Sequence, residues 1–131
     1  MTEQSKEMTY EVKVSRDGEK RWLLNGVLHR EDGPAIEFID GSKCWYRDGK
    51  PHRDCGLPAC EWAYSGREWW VNGKLHRIDG PAIEDVEEDT FEFYIDGERY
   101  EQAEFNERVM RLFCQGKLVD IGGKKYKLCE V

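Results

Sequence analysis

Three His-Arg pairs, His29-Arg30, His52-Arg53 and His76-Arg77, are the residues best suited to chemistry in this chain. They recur at intervals of 23 and then 24 residues. A row of guanidinium forks beside imidazoles suits phosphate or carboxylate ligands, so these six residues are candidate anion ligands. A residue carried by every unit of a repeat is also one that every unit needs for packing. Arg30 and Arg77 are accordingly expected to pair with Asp32 and Asp79 and to brace the turns. Cys44, Cys55 and Cys60 with His52 offer one half of a zinc site, but no second tight pair of ligands follows. Cysteine as a small buried hydrophobe explains them better. Nucleophilic catalysis by Cys55 would need a lowered pKa and a paired base, and His52 is the only local candidate. The run Glu84, Asp85, Glu87, Glu88, Asp89 and Glu92 lacks the residue order of a calcium loop. It reads as a docking loop for a basic partner, as a nucleic-acid mimic, or as a solvated hairpin tip. No glycine-rich phosphate loop and no distinct acid–base pair occurs. The expectation is a non-enzymatic protein with no catalytic residues, no metal and no cofactor.

The elements that position these residues follow from an internal repeat. The segment from Trp22 through Asn25-Gly26, Leu28-His29-Arg30 and Asp32-Gly33-Pro34 to Glu37 returns as Trp70 to Glu84. A weaker copy, Trp45 to Glu61, carries Leu57 as an extra residue between Gly56 and Pro58. A partial fourth unit, Phe93 to Tyr100, keeps the Asp96-Gly97 turn. Asn-Gly and Asp-Gly between apolar runs are hairpin signals. Asp32-Gly33-Pro34 is a second break before Ala35 to Ile39 resumes as a strand. One unit cannot bury its own apolar face, so units must stack. The predicted fold is mainly β: an antiparallel β-meander of about three and a half hairpin repeats with a C-terminal helix and hairpin. It is read as one domain, with a capping hairpin in 1–19, repeats in 20–100 and the helix plus hairpin in 101–131. Phe105, Val109, Leu112 and Phe113 follow helical spacing, and Gly122-Gly123 turns the last hairpin. Trp45, Tyr46, Trp62, Tyr64, Trp69 and Trp70 are expected to pack in the core of the sheet rather than stack on bases.

Composition limits the partners. Across 131 residues there are 20 Lys plus Arg against 27 Asp plus Glu, a net charge of -7. Residues 51–100 hold 5 basic and 12 acidic residues, so that segment alone carries the excess. This disfavours direct nucleic-acid binding, which needs clustered Lys and Arg, and favours a partner with a basic surface. No apolar run approaches the ~18 residues of a membrane span. Met1 to Met8 lacks the apolar stretch of a signal peptide, and five cysteines without framework spacing suit a reducing cytosol.

The pattern Asn-Gly-x-Leu-His-Arg-x-Asp-Gly-Pro-Ala-Ile-Glu, with Trp and Tyr before each turn, resembles a family of tandem-repeat proteins common in tailed bacteriophages and other large viruses. Asp96-Gly97-Glu98-Arg99-Tyr100 leading into Glu101 to Phe105 is similar to that family's Gly-x-x-Tyr ending and acidic helix. The repeat is also similar to a distant variant of the membrane occupation and recognition nexus (MORN) repeat. The resemblance implies a viral source and a β-repeat fold, and supplies no reaction. Together with the acidic run it suggests a protein of the host cytoplasm that docks onto a host protein, inhibiting a defence or nucleic-acid-processing factor. Sequestration of a small anion such as a nucleotide, or service as a virion repeat, are the alternatives. Open sheet edges also offer a surface on which a homodimer could form.

Overall fold

A computed structural model describes residues 8–114, 118–121 and 124–127. The described residues fold as a large antiparallel sheet of consecutive hairpins, followed by a helix toward the C-terminal end. In chain order the strands are β1 (Tyr10–Val14), β2 (Lys20–Leu24), β3 (Val27–Leu28), β4 (Ile36–Glu37), β5 (Lys43–Cys44), β6 (Tyr46–Arg47), β7 (Lys50–Pro51), β8 (Cys60–Trp62), β9 (Gly66–Glu68), β10 (Trp70–Val71), β11 (Lys74–Leu75), β12 (Ile83–Asp85), β13 (Thr90–Ile95) and β14 (Glu98–Tyr100). The helix α1 (Gln102–Cys114) follows, and then a separate hairpin, β15 (Leu118–Ile121) and β16 (Lys124–Lys127). The main sheet runs β1-β2-β4-β5-β8-β9-β12-β13-β14, with β3 beside β2.

Two kinds of hairpin alternate. The short ones turn at Asn25-Gly26, Asp48-Gly49, Asn72-Gly73 and Asp96-Gly97, where both residues have positive φ, between 50° and 83°. That is the type I′ turn, whose twist matches antiparallel strands and which Asn, Asp and Gly tolerate best. The longer hairpins, β4–β5, β8–β9 and β12–β13, join one unit to the next. The extra residue of the third such hairpin lies in its turn: Ile83 pairs with Glu92, whereas Ile36 pairs with Cys44.

Register gives each face of the sheet its own character. On one face Lys20, Glu37, Lys43, Glu61, Arg67 and Glu84 stand directly opposite one another, strand after strand. Opposite charges thus alternate across five strand pairings, the favourable cross-strand arrangement. The other face carries the core, Ile36, Cys44 and Cys60, with Leu28, Phe38, Tyr46, Trp62 and Trp70 packed around it. At its edge the indole N–H groups of Trp62 and Trp70 both donate to the Glu68 carboxylate.

The repeat boundary needs one correction. The counterpart of Trp22 and Trp45 is Trp69, not Trp70. Each of these three tryptophans donates its backbone N–H to an alanine carbonyl, Ala35, Ala59 or Ala82, and accepts from a histidine N–H, His29, His52 or His76. Trp70 instead lies with the core. Tyr64 also departs from the expected packing and is exposed at a hairpin tip.

The ends are closed differently. β1 pairs with β2 of the first unit, and Thr9 exchanges bonds with Asn25 at the first turn. At the other end α1 lies against β13 and β14, and Phe105 is buried with its ring 4.8 Å from that of Phe93. Glu104 in the first turn and Arg111 in the last suit the helix dipole.

Candidate partner-binding surface

Each His-Arg pair opens a loop that leaves the return strand and rejoins it at an alanine. The tryptophan opposite pins both ends with its backbone, 3.0 Å to each histidine and 2.6–2.8 Å to each alanine. Its indole then supports the arginine: the guanidinium carbons of Arg30, Arg53 and Arg77 lie 3.9, 3.7 and 3.7 Å from the rings of Trp22, Trp45 and Trp69. Nη1 of each donates to a proline carbonyl inside the same loop, Pro34, Pro58 or Pro81, at 3.0–3.1 Å. Nη1 also faces a glutamate of the charge ladder, at 3.6 Å for Glu37, 2.9 Å for Glu61 and 3.0 Å for Glu84. Nε of Arg30 and Arg77 donates to Asp32 and Asp79, as the sequence predicts. A Cβ on Gly80 would stand 2.9 Å from the Arg77 guanidinium carbon, so a larger residue there would make the guanidinium shift from its place across the loop.

The histidines reach forward. Nδ1 of His29, His52 and His76 accepts the backbone N–H of Asp48, Asn72 and Asp96, the first positive-φ residue of the next unit's turn, at 2.9–3.0 Å. An accepting Nδ1 places the ring proton on Nε2, which at His52 donates to Asp54 at 2.8 Å. Arg47 Nη1, 3.2 Å from the same nitrogen, is a donor facing a donor, so Asp54 is the partner of that nitrogen. The Asp54 carboxyl is held below its usual range by the His52 bond and then by Arg47. The three pairs therefore serve as a brace within each unit and a staple to the next.

The second loop breaks the pattern. Cys55 stands where the other loops have Asp32 and Asp79. Among the described residues Nε of Arg53 has no hydrogen-bond partner, and its contacts are made through Nη1. The added length is taken up at Cys55 and Gly56, both at φ 68°, and leaves Leu57 exposed. Clefts of about 230 Å³ and 180 Å³ flank this loop, and both are lined by Arg53, Cys55 and Leu57. Cys55 is exposed, whereas Cys44 and Cys60 are buried together. Among the described residues no group of three or more His, Cys, Asp or Glu side chains is placed to hold a metal ion.

The acidic run divides. Glu84 belongs to the charge ladder and bonds Arg77 at 3.0 Å and Arg67 at 3.2 Å. Glu92 lies on β13, 3.6 Å from Arg99. Asp85 turns inward, its Oδ1 accepting the N–H groups of Glu87 and Glu88 at 3.0 Å. That shapes the β12–β13 turn and leaves Glu87, Glu88 and Asp89 exposed, with no ion pair among the described residues.

The tips of the longer hairpins adjoin one another. Ser42 Oγ accepts the N–H of Ala63 at 2.9 Å, and Ser65 C=O accepts the N–H of Val86 at 2.8 Å. Three successive tips thus carry Ile39, Tyr64 and Val86, with exposures of 68%, 77% and 63%, and Phe91 is exposed beside the last. Sequence reasoning missed this row. The available signal was an apolar residue in each turn, where polar residues are the rule.

No protein-family model, curated protein or solved structure matches the chain.

Proposed function

We propose that the chain is a non-enzymatic binding protein of viral type, which docks through its hairpin tips onto a host protein with a basic surface in the host cytoplasm. The repeat sheet is the rigid frame. The observation that carries this reading is the row of exposed apolar tips, Ile39, Tyr64 and Val86, ending in the three carboxylates of Glu87, Glu88 and Asp89. The apolar tips supply area removed from water. The carboxylates steer the approach and set orientation. The test is a tagged pull-down from host lysate at low and high salt. It compares the native chain with Tyr64→Ala/Val86→Ser and with Glu87→Lys/Glu88→Lys/Asp89→Lys. A partner captured by the native chain, released by salt and lost in both variants supports the reading. Equal capture by all three chains overturns it.

A second reading, capture of a small anion, is favoured at one loop only, because Arg53 Nε lacks the carboxylate that its counterparts bond. It predicts a thermal shift with phosphate or a nucleotide that Arg53→Gln abolishes and Arg30→Gln retains.

A further inference from the structure

The two buried cysteines, Cys44 on β5 and Cys60 on β8, face each other directly across the sheet. Their neighbours show which kind of pair they form. Trp45 N–H donates to Ala59 C=O at 2.6 Å, so residues 45 and 59 are a hydrogen-bonded pair. Phe38 N–H donates to Ser42 C=O at 2.9 Å, which turns the backbone groups of Cys44 toward β4. Cys44 and Cys60 are therefore a non-hydrogen-bonded pair, the position where opposed side chains approach most closely, with Cα atoms about 4.5 Å apart. That separation lies within the range a disulfide spans. The neighbouring Cys44 side chain, together with burial, pushes the pKa of the Cys60 thiol up.

The repeats supply an internal control. The same cross-strand position holds Arg21 opposite Ile36 in the first unit and Glu68 opposite Ile83 in the third. Only the second unit has cysteine on both strands. That unit is also the one whose arginine has lost its Nε–Asp bond and whose loop carries the extra Leu57. β5 and β8 are the two strands that close the neck of this unit.

We propose that Cys44 and Cys60 form a reversible cross-strand disulfide that locks the neck of the second repeat, with a low-molecular-weight disulfide of the glutathione type as oxidant. One cysteine thiolate attacks a sulfur of the oxidant. The oxidant's S–S bond breaks, and the first small thiolate leaves and takes up the proton that the cysteine gave. The second cysteine attacks the protein sulfur of the mixed disulfide. The Cys44–Cys60 bond forms, and the second small thiolate leaves with the second proton. Two protein thiols are oxidised and one small disulfide is reduced to two thiols. At 2% and 5% exposure the pair is shielded while the sheet is closed, so exchange proceeds through opening of β5 from β8. The lock needs no docking partner and stands apart from the proposed function.

The test equilibrates Cys55→Ser/Cys114→Ser/Cys129→Ser, which keeps only the pair, in glutathione buffers of graded ratio, and then quenches and alkylates. The expected result is a species lighter than the dithiol by about 2 Da, whose peptide map joins Cys44 to Cys60. Its thermal midpoint should rise by about 5–10 °C and fall again with dithiothreitol. Two free thiols at every ratio, or glutathione adducts without the internal link, would overturn the proposal. Should the triple variant not fold, the native chain is mapped after the same equilibration. A Cys44–Cys60 peptide supports the lock, and links made only through Cys55, Cys114 or Cys129 refute it.

Discussion

The His-Arg loops and the β12–β13 tip are both rich in charge, and they use it in opposite ways. In the loops each guanidinium lies on a tryptophan and bonds a proline carbonyl, with a glutamate of the ladder beside it. Each imidazole accepts the N–H of the next turn. At the tip, Glu87, Glu88 and Asp89 project without a cation among the described residues. A charge that returns in every unit is used between and within units. The three charges at the tip make no such contact among the described residues.

Trp69→Ala removes the ring under Arg77 from a buried site, and should cost about 3–5 kcal/mol in urea unfolding. Arg77→Gln keeps the tryptophan but leaves the Pro81 carbonyl and Glu84 without their donor, and should cost about 1–3 kcal/mol. Staples can be ranked by burial. The His52 side chain is 7% exposed and that of His76 27% exposed. His52→Ala should therefore destabilise more than His76→Ala, each by about 0.5–2 kcal/mol in the same assay. Triple charge reversal at Glu87, Glu88 and Asp89 should leave stability within about 0.5 kcal/mol while weakening capture of a basic partner. The smallest effect belongs to Asp54. Its folded pKa is lowered, so its contribution is complete once the unfolded carboxyl has ionised, above about pH 4. It is lost as the pH falls through the lower folded value. Asp54→Asn should flatten the acid limb of a stability–pH curve in that window.

Much of the frame could be read from the sequence because its turns are written in dipeptides that only a few conformations accept. Asn25-Gly26, Asp48-Gly49, Asn72-Gly73 and Asp96-Gly97 all became type I′ turns. The helix spacing of Phe105 and Val109 placed α1. Phase was harder where two tryptophans adjoin: Trp69 and Trp70 both satisfy an aromatic-before-turn pattern, and only the backbone bonds to His76 and Ala82 separate them. The histidine staple joins residues 19 or 20 apart, beyond any local signal. The charge ladder and the Cys44–Cys60 pairing depend on the register of very short strands separated by long excursions, which alternation cannot fix. The acidic run was legible as an anomaly. Its division into a ladder residue, a turn-forming Asp85 and three exposed carboxylates was not.

The most direct measurement is equilibrium urea unfolding of Arg77→Gln beside the Glu87→Lys/Glu88→Lys/Asp89→Lys variant. If repeated charges hold the units together and the single cluster is free, the midpoint falls for Arg77→Gln and does not move for the tip variant. An unchanged midpoint for Arg77→Gln, or a loss of stability on reversing the tip, would contradict the account.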